Sequence, residues 1–383
     1  MHYRAFYIFC WLSVTNIALG QKADLKIAPS VILKLISDLQ SNNDTAFPNG
    51  GFVTFRKSNW SSQFKIDQNS FYTALILFNL NQYEAKMSKE DQYLLYQINQ
   101  KAIPYFINFK NKNKPSYNFW PKYPPVIFPN GGWLNHFNAS GALPDDIDDG
   151  SIIQLALKNN DNDSFAIALK HEFTLFVNTT TKTTKGFYSK YKNQKVYGTW
   201  LGNKMPVDID MSVLCNTLLL SEIYQLPLNQ IDSNTYNLLI QLVKDAKHLK
   251  DPSYVSPHYE KSAIILYHLS RLYKYSHYSL FKKIKNQIVQ DAQMALSIAH
   301  FPLEKLLLQN TLLNLGEKGA YLLADNPVLL QQNNYSLFVA NLATLLPNPF
   351  KRWVTKTKFF RYSYYCYPYN LSVWLENYYL NQP

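Results

Sequence analysis

Four carboxylates fall within five residues in one stretch of the chain, and this cluster constrains the fold more than any other feature. Residues 143–151 read LPDDIDDGS, and the apolar run IIQLAL follows directly. Pro144 has a fixed φ that suits the start of a helix, and acidic side chains in a first helical turn face unpaired N–H groups. The stretch therefore predicts a helix that begins with a cluster of acids.

A similar arrangement recurs along the chain: an extended aromatic piece, a polar turn, and then a helix whose early positions are small. The occurrences are 67–80, 144–157, 206–219, 257–269 and 368–380. When Ser151, Ser212, Ser262 and Ser372 are aligned, the intervals are 61, 50 and 110 residues, and the last is about two units. A period of this length with two helices per unit is typical of stacked or closed helical hairpins.

We therefore expect an all-α fold in which about five to six helical hairpins close into one α/α toroid, with extended aromatic loops. The toroid would occupy residues 21–383 as a single domain. Its inner helices would be apolar on every side and would start at one end of the funnel. The acid cluster, Asp208, Asp210 and Glu260 would then meet at one mouth. An open α-solenoid is the alternative, but the long aromatic loops favour the closed form.

The first 20 residues have the features of a secretory signal peptide. Arg4 contributes to a weakly positive start, a short apolar run follows, and small residues precede a cleavage site between Gly20 and Gln21. The apolar run is shorter than the roughly 20 residues that a membrane-spanning helix requires. We therefore expect a secreted or periplasmic protein, and an uncleaved anchor is the alternative.

The chain is basic, with a formal net charge of +12 that falls to +11 when Arg4 leaves with the signal peptide. Such a charge favours contact with anionic surfaces, such as lipid headgroups, polyanionic glycans or a diphosphate-bearing ligand. The sequence contains no nucleic-acid-binding motif, and secretion argues against a nucleic-acid partner.

Residues 146–149 read DIDD and resemble the DxDD motif of class II terpene cyclases, the group of squalene–hopene and diterpene cyclases. The layout of the repeats is also similar to that of the terpenoid cyclase and protein prenyltransferase toroids. The resemblance implies that Asp148 is the general acid that protonates an alkene, and that Asp146 and Asp149 keep it protonated and oriented. The implied function is acid-initiated cyclisation, or binding of an apolar or isoprenoid ligand.

Proton donation requires a carboxyl group that stays protonated. Crowded and buried carboxyl groups have a raised pKa, whereas the positive end of a helix dipole lowers the pKa. Both effects act on Asp148, so the sequence alone leaves its protonation state open.

A secreted carbohydrate-active enzyme, a glycoside hydrolase or lyase, is the second hypothesis, because such enzymes use paired carboxylates. Asp148 would pair with Asp208 or Asp210. Under either hypothesis we expect aromatic rings to contact the sugar or isoprenoid, with polar groups beside the acids. The predicted substrate-binding residues are Trp120, Trp133, Trp200, Asp208, Asp210, His258 and Tyr259.

A non-catalytic binding protein is the third hypothesis. Acids at helix N-termini are often ordinary caps, and a histidine such as His258 before a helix is typical of a loop or core residue. Residues 145–149 also satisfy the DDxxD pattern of class I synthases, which bind magnesium and diphosphate, and carboxylates are suitable ligands for Mg²⁺ or Ca²⁺. We assign no metal and leave both the cofactor and the existence of an activity open.

Overall fold

The computed structural model describes residues 27–42, 47–123, 126, 142–158, 163–179, 182–203, 205–317, 327–331, 334–357 and 361–382. The predicted signal peptide and Trp133 lie outside these residues. Helices dominate the described part, which confirms a helix-rich fold. No helix in that part is long and apolar enough to cross a membrane.

The helices follow one another with few strands between them. The longer ones are α1 (Pro29–Leu39), α2 (Phe71–Asn81), α3 (Lys89–Phe106), α4 (Ile147–Leu157), α5 (Asp163–Thr174), α6 (Met211–Ile223), α7 (Gln230–Lys244), α10 (Ser262–Tyr275), α12 (Lys285–Ser297), α13 (Pro302–Asn314) and α15 (Tyr367–Leu380). The described residues also form four short α-helices: α8 (Lys247–Lys250), α9 (Pro252–Val255), α11 (Ser279–Lys282) and α14 (Phe350–Val354).

Six of the helices form a circuit of contacts. Along it, α2 packs against α4, α4 against α6, α6 against α10, α10 against α13, α13 against α15, and α15 returns to α2. One hydrogen bond joins the ends of this circuit, from Asn79 Nδ2 of α2 to Ser372 Oγ of α15 at 3.2 Å. Nearby, the Tyr72 hydroxyl of α2 donates to the carbonyl of Tyr364, which precedes α15, at 2.9 Å. The remaining long helices lie outside it, as α5 does against α4 and α12 against α13.

Burial differs between the two sets of helices because their sequences differ. The sequence of α2 is FYTALILFNLN, apolar around nearly its whole circumference, and all but its last residue are buried. Every residue of α4 is also buried. By contrast, α3 buries Leu95, Ile98 and Ala102, at the spacing of one helical face, and exposes charged residues elsewhere. Inner helices that are apolar on all sides were expected from the sequence.

The expectation of an all-α fold is incomplete, because the described residues also form a four-stranded antiparallel sheet. Its strands are β1 (Thr54–Ser58), β2 (Lys65–Asp67), β5 (Val339–Asn341) and β6 (Arg361–Tyr365), in the order β2-β1-β6-β5. Strand β1 pairs with β6 so that Phe55 lies opposite Tyr365 and Ser58 opposite Tyr362. The pairing joins segments about 300 residues apart, and no local sequence pattern indicates such a partner.

A second, two-stranded pairing positions the acid cluster. Strand β3 (Asp145–Asp146) runs antiparallel to β4 (Trp200–Leu201), with Asp145 opposite Leu201 and Asp146 opposite Trp200. The Ile147 amide then donates to the Thr199 carbonyl at 2.9 Å. This short ladder fixes the first turn of α4 against the segment that leads to α6.

Candidate active site

The first turn of α4 is capped by the acid cluster itself. Asp146 is the N-cap residue, with extended backbone, and its side chain accepts a hydrogen bond from the Asp149 amide at 2.7 Å. This is the ordinary capping arrangement, in which a side-chain oxygen satisfies an unpaired N–H group. Asp146 therefore serves as the N-cap of α4, and Asp148 and Asp149 lie in the first turn of the helix.

Asp145 turns away from its neighbours and holds the preceding loop. Its Oδ2 accepts hydrogen bonds of 2.6 Å from both Asn111 Nδ2 and Ser116 Oγ, and its Oδ1 accepts from Asn118 Nδ2 at 3.2 Å. Lys122 forms an ion pair with the same carboxylate. With four donors around it, Asp145 has a structural role.

The other three acids of the cluster open onto one small cavity. Its volume is about 30 Å³. A single water requires roughly 10–15 Å³ by the same measure, so the space admits about two waters. Apart from Thr199 and His258, the remaining wall is apolar or aromatic. The lining residues are Phe119, Asp146, Asp148, Asp149, Thr199, Trp200, Val213, His258 and Phe338.

Asp148 is buried and accepts a hydrogen bond at each oxygen. Asn216 Nδ2 donates to its Oδ1 at 2.8 Å, and the Tyr259 hydroxyl donates to its Oδ2. Burial raises the pKa of Asp148, and the nearby charge of Asp146 raises it further, whereas the two hydrogen bonds lower it. The balance sets the pKa of Asp148 at about 7.

Asp146 and Asp149 are buried beside each other at the start of α4, and each alters the pKa of the other. Burial raises the pKa of Asp149 well above its usual range, and the Asp146 carboxylate beside it acts in the same direction. Burial also raises the pKa of Asp146, but the Asp149 side chain and amide both donate to it and oppose that rise. The pKa of Asp149 is therefore raised more than that of Asp146, and its buried Oδ2 has no hydrogen-bond partner among the described residues.

The start of α6 supplies the second acidic pair. Asp210 caps this helix, and its Oδ1 accepts from the Ser212 amide at 2.9 Å and from Ser256 Oγ at 2.5 Å. Its Oδ2 accepts from the His258 amide at 2.9 Å. Burial raises the pKa of Asp210, and the opposing effects of His258 and Ser256 reduce that rise without reversing it.

Asp208 lies in a buried ion pair. Lys351 Nζ is 2.7 Å from Oδ1 of Asp208, and His258 Nε2 is 3.5 Å from its Oδ2. Burial alone would raise the pKa of Asp208, but the charge of Lys351 and the neighbouring His258 lower it to about 2. Asp208 is therefore a carboxylate under all ordinary conditions.

His258 joins this pair to the cavity. Its Nδ1 lies 3.2 Å from the Val339 carbonyl, and its ring stacks on Phe338 with centroids 6.0 Å apart. Burial lowers the pKa of His258, but Asp208 and Asp210 more than offset that effect and raise it. His258 lowers the pKa of Asp146, although burial outweighs this effect and leaves that pKa raised.

The structure brings most of the predicted site residues together. Asp146, Asp148, Asp149, Trp200 and His258 line the cavity. Three more of them do not line the cavity but contact residues that do: Tyr259 bonds to Asp148, and Asp208 and Asp210 contact His258. Glu260, expected at the same mouth, forms an ion pair with Arg361 at 2.8 Å instead.

Trp120 is not at the cavity. Its indole N–H donates to the Asp67 carboxylate at 3.1 Å, and Asp67 also pairs with Arg56. A buried tryptophan needs a partner for its indole N–H, and the Asp67 carboxylate supplies it here, so Trp120 is a core residue. Trp133, the remaining predicted residue, lies outside the described residues.

Several residues at the site were not predicted from the sequence. Phe119 and Phe338 form aromatic walls with ring centroids 5.3 Å apart. Asn216 is a polar residue within the apolar run of an inner helix, a pattern that could have singled it out. Lys351 reaches Asp208 from a segment 143 residues further along the chain, and no local sequence pattern indicates that pairing.

Comparisons with protein-family models and with curated proteins find no match to this chain. Among the described residues, no group of three or more histidine, cysteine, aspartate or glutamate side chains has an arrangement that could hold a metal ion.

Proposed function

We propose that the protein is a closed α/α toroid that uses Asp148 as a general acid toward the carbon–carbon double bond of an apolar, isoprenoid-like ligand. The circuit of six helices, each packed on the next, supports the toroid. The resemblance of residues 146–149 to the DxDD motif supports the reaction class.

One observation carries the proposal: a buried carboxyl group with a pKa of about 7 faces a cavity with aromatic walls. A general acid works best when its pKa is near the working pH, because it is then both protonated and able to release its proton. Asp149 retains its proton more strongly and is tied to Asp146, so it is the weaker donor. Acids that served only as caps would not require this cavity.

The proposed step begins with transfer of the Asp148 proton to one alkene carbon. The π electrons form the new C–H bond, the other alkene carbon becomes a cation, and Asp148 becomes a carboxylate. Asn216 and Tyr259 already donate to that carboxylate and stabilise it. The rings of Phe119, Trp200 and Phe338 present the π-systems that stabilise a cation. Attack by a second double bond closes a ring, and loss of a proton to solvent completes the isomerisation.

The size of the cavity restricts the ligand. A space for about two waters is smaller than the branched alkene end of an isoprenoid. The proposal therefore requires the side chains of Phe119 and Phe338 to yield when that end enters, while the remainder of a longer ligand lies outside the cavity.

The carbohydrate hypothesis receives no comparable support. It requires a second carboxyl group across an open groove from Asp148. Asp208 is held by Lys351 and Asp210 caps α6, and neither lines the cavity.

The test is incubation of the purified protein with linear isoprenoid alkenes of 10 to 30 carbons in deuterated buffer, followed by mass spectrometry of the products. A cyclic isomer should carry one deuterium delivered through Asp148. Asp148→Asn should abolish the product, whereas Asp38→Asn, at an exposed position on α1, should not change it.

Two results would contradict the proposal. One is formation of the deuterated product by Asp148→Asn at the wild-type rate. The other is saturable binding of the alkenes without any turnover by the wild-type protein, which would instead support the non-catalytic binding hypothesis.

A further inference from the structure

Two pairs of large aromatic side chains are exposed at one end of the four-stranded sheet. On α14, Phe350 is 55% exposed and Trp353 is 66% exposed, and their rings meet edge to face at 6.3 Å. In the hairpin between β1 and β2, Trp60 is 54% exposed and Phe64 is 41% exposed. Aromatic side chains at such exposures are uncommon, and clusters of them mark interaction sites.

Strand β6 places the hairpin and α14 at the same end, whereas the Phe64 ring leans along the sheet and packs edge to face on Tyr365 at 5.5 Å. The hairpin turns after Ser58, which lies opposite Tyr362 near the start of β6, and Trp60 packs edge to face on Tyr362. The other pair lies on α14, which is held close to the start of β6: the Arg361 side chain of β6 donates to the carbonyl of Thr355, directly after α14. The start of β6 thus lies between the hairpin and α14.

The segments that form this end are basic. Lys65, Arg352 and Lys356 are exposed, and Lys57 lies over the Phe64 ring at 5.1 Å. Within residues 47–67, 334–357 and 361–367 the only acid is Asp67, which is buried and paired with Arg56. Arg352 and Lys356 also lie 3.7 and 3.5 Å from the Asp251 carboxylate, at the edge of the patch.

We infer that this end of the sheet, Trp60, Phe64, Phe350 and Trp353 with their flanking lysines and Arg352, docks onto an anionic lipid surface. Aromatic rings favour the boundary between headgroups and acyl chains, and cations near that boundary are attracted to anionic lipids. No described helix could span a membrane, so the binding would be peripheral. The inference stands independently of the proposed reaction.

The experiment is co-sedimentation of the chain from Gln21 onward, the product of the predicted cleavage, with vesicles of phosphatidylcholine alone or with 30% phosphatidylglycerol. We expect at least tenfold tighter binding to the anionic vesicles, weakened by added salt. The double variants Phe350→Ser/Trp353→Ser and Trp60→Ser/Phe64→Ser should each bind the anionic vesicles with an affinity lower by about tenfold or more. The control is Tyr93→Ser/Tyr96→Ser, which removes two aromatic rings of 63% and 56% exposure from α3 and should bind as the wild type does.

A further variant, Arg352→Gln/Lys356→Gln, keeps the aromatic rings and should weaken binding to anionic vesicles only. Circular dichroism verifies that each variant is folded. The inference is overturned if the wild type binds neither vesicle, as a surface for a protein partner would predict. Equal binding to both vesicles, or wild-type affinity in both aromatic double variants, would also overturn it.

Discussion

Lys351 Nζ lies 2.7 Å from Oδ1 of Asp208, and both side chains are about 1% exposed. The lysine passes Gly186 on the way: a Cβ at position 186 would lie 2.6 Å from Lys351 Cδ. Glycine at 186 therefore leaves space for the aliphatic stem. Through this pair, α14 is tied to the carboxylate that faces His258.

Replacing Lys351 with methionine should destabilise the protein strongly, because the buried Asp208 carboxylate would keep only His258 as a basic neighbour within 4 Å among the described residues. Loss of one partner of a buried ion pair costs about 3–5 kcal/mol of unfolding free energy. Urea unfolding at pH 7 measures the change. The double variant Lys351→Met/Asp208→Asn should recover part of the loss. An exposed pair provides the control: Lys34→Met, which breaks the contact with Asp38 on α1, should cost less than about 0.5 kcal/mol.

Asp148→Asn should flatten the pH dependence of stability. The folded-state pKa of about 7 lies above the unfolded value, so the folded form binds the extra proton. The stabilisation that the protonated Asp148 gives to the folded state is fully present below about pH 4. It is lost as the pH rises through 7, at about 1.4 kcal/mol of unfolding free energy per pH unit in between. Urea unfolding from pH 4.5 to 8 should show a shallower decline in the variant. Asp38→Asn, at an exposed site, should retain the wild-type profile. Identical slopes for Asp148→Asn and wild type would contradict the assignment.

Tyr259→Phe should raise the pKa of Asp148 above 7, since the hydroxyl that stabilises the carboxylate is removed. Carbon-13 NMR of labelled aspartate carboxyl groups would follow the titration directly. The matched control is Tyr105→Phe, which removes another buried hydroxyl, bonded to the Asn69 carbonyl at 2.8 Å and not part of the cavity wall. An Asp148 titration unchanged by Tyr259→Phe would show that the phenol does not tune the acid.

Phe338→Leu should lower the rate of the proposed reaction, because leucine keeps much of the apolar packing and removes the aromatic ring. Leucine retains much of the apolar volume, so the stability loss should stay near 1–2 kcal/mol. Loss of the π face should lower product formation by roughly tenfold, in line with cation–π energies of about 0.5–2 kcal/mol. Phe281→Leu, a core substitution beside Tyr236 and Tyr273, should cost similar stability without a kinetic effect. Equal rates for the two variants would argue against a role for the ring.

Local sequence patterns predicted much of the helical framework and the position of the acids. Pro144 and the carboxylates mark the start of α4, and the apolar circumference of α2 and α4 predicts their burial on nearly every side. The distant partners were beyond such patterns. Pairing of β1 with β6, and of Lys351 with Asp208, depends on segments far apart in the chain, and many lysines were equal candidates from sequence alone.

The protonation states at the site also required the structure. The cluster alone did not show whether burial or the helix dipole would dominate at Asp148. Three-dimensional contacts with Asn216 and Tyr259 decide this balance. The same holds for Trp120, whose buried place beside Asp67 could not be distinguished from a ligand-stacking position by its residue type.

The contacts between α2 and α15 have a consequence for the order of events in biogenesis. Asn79 and Ser372 are 293 residues apart, so the polypeptide cannot complete its interior until α15 has emerged from the ribosome. Contacts at such sequence separation form slowly, and partly assembled chains expose apolar surface until they do. During that interval the apolar inner faces of α2 and α4 are available to chaperones.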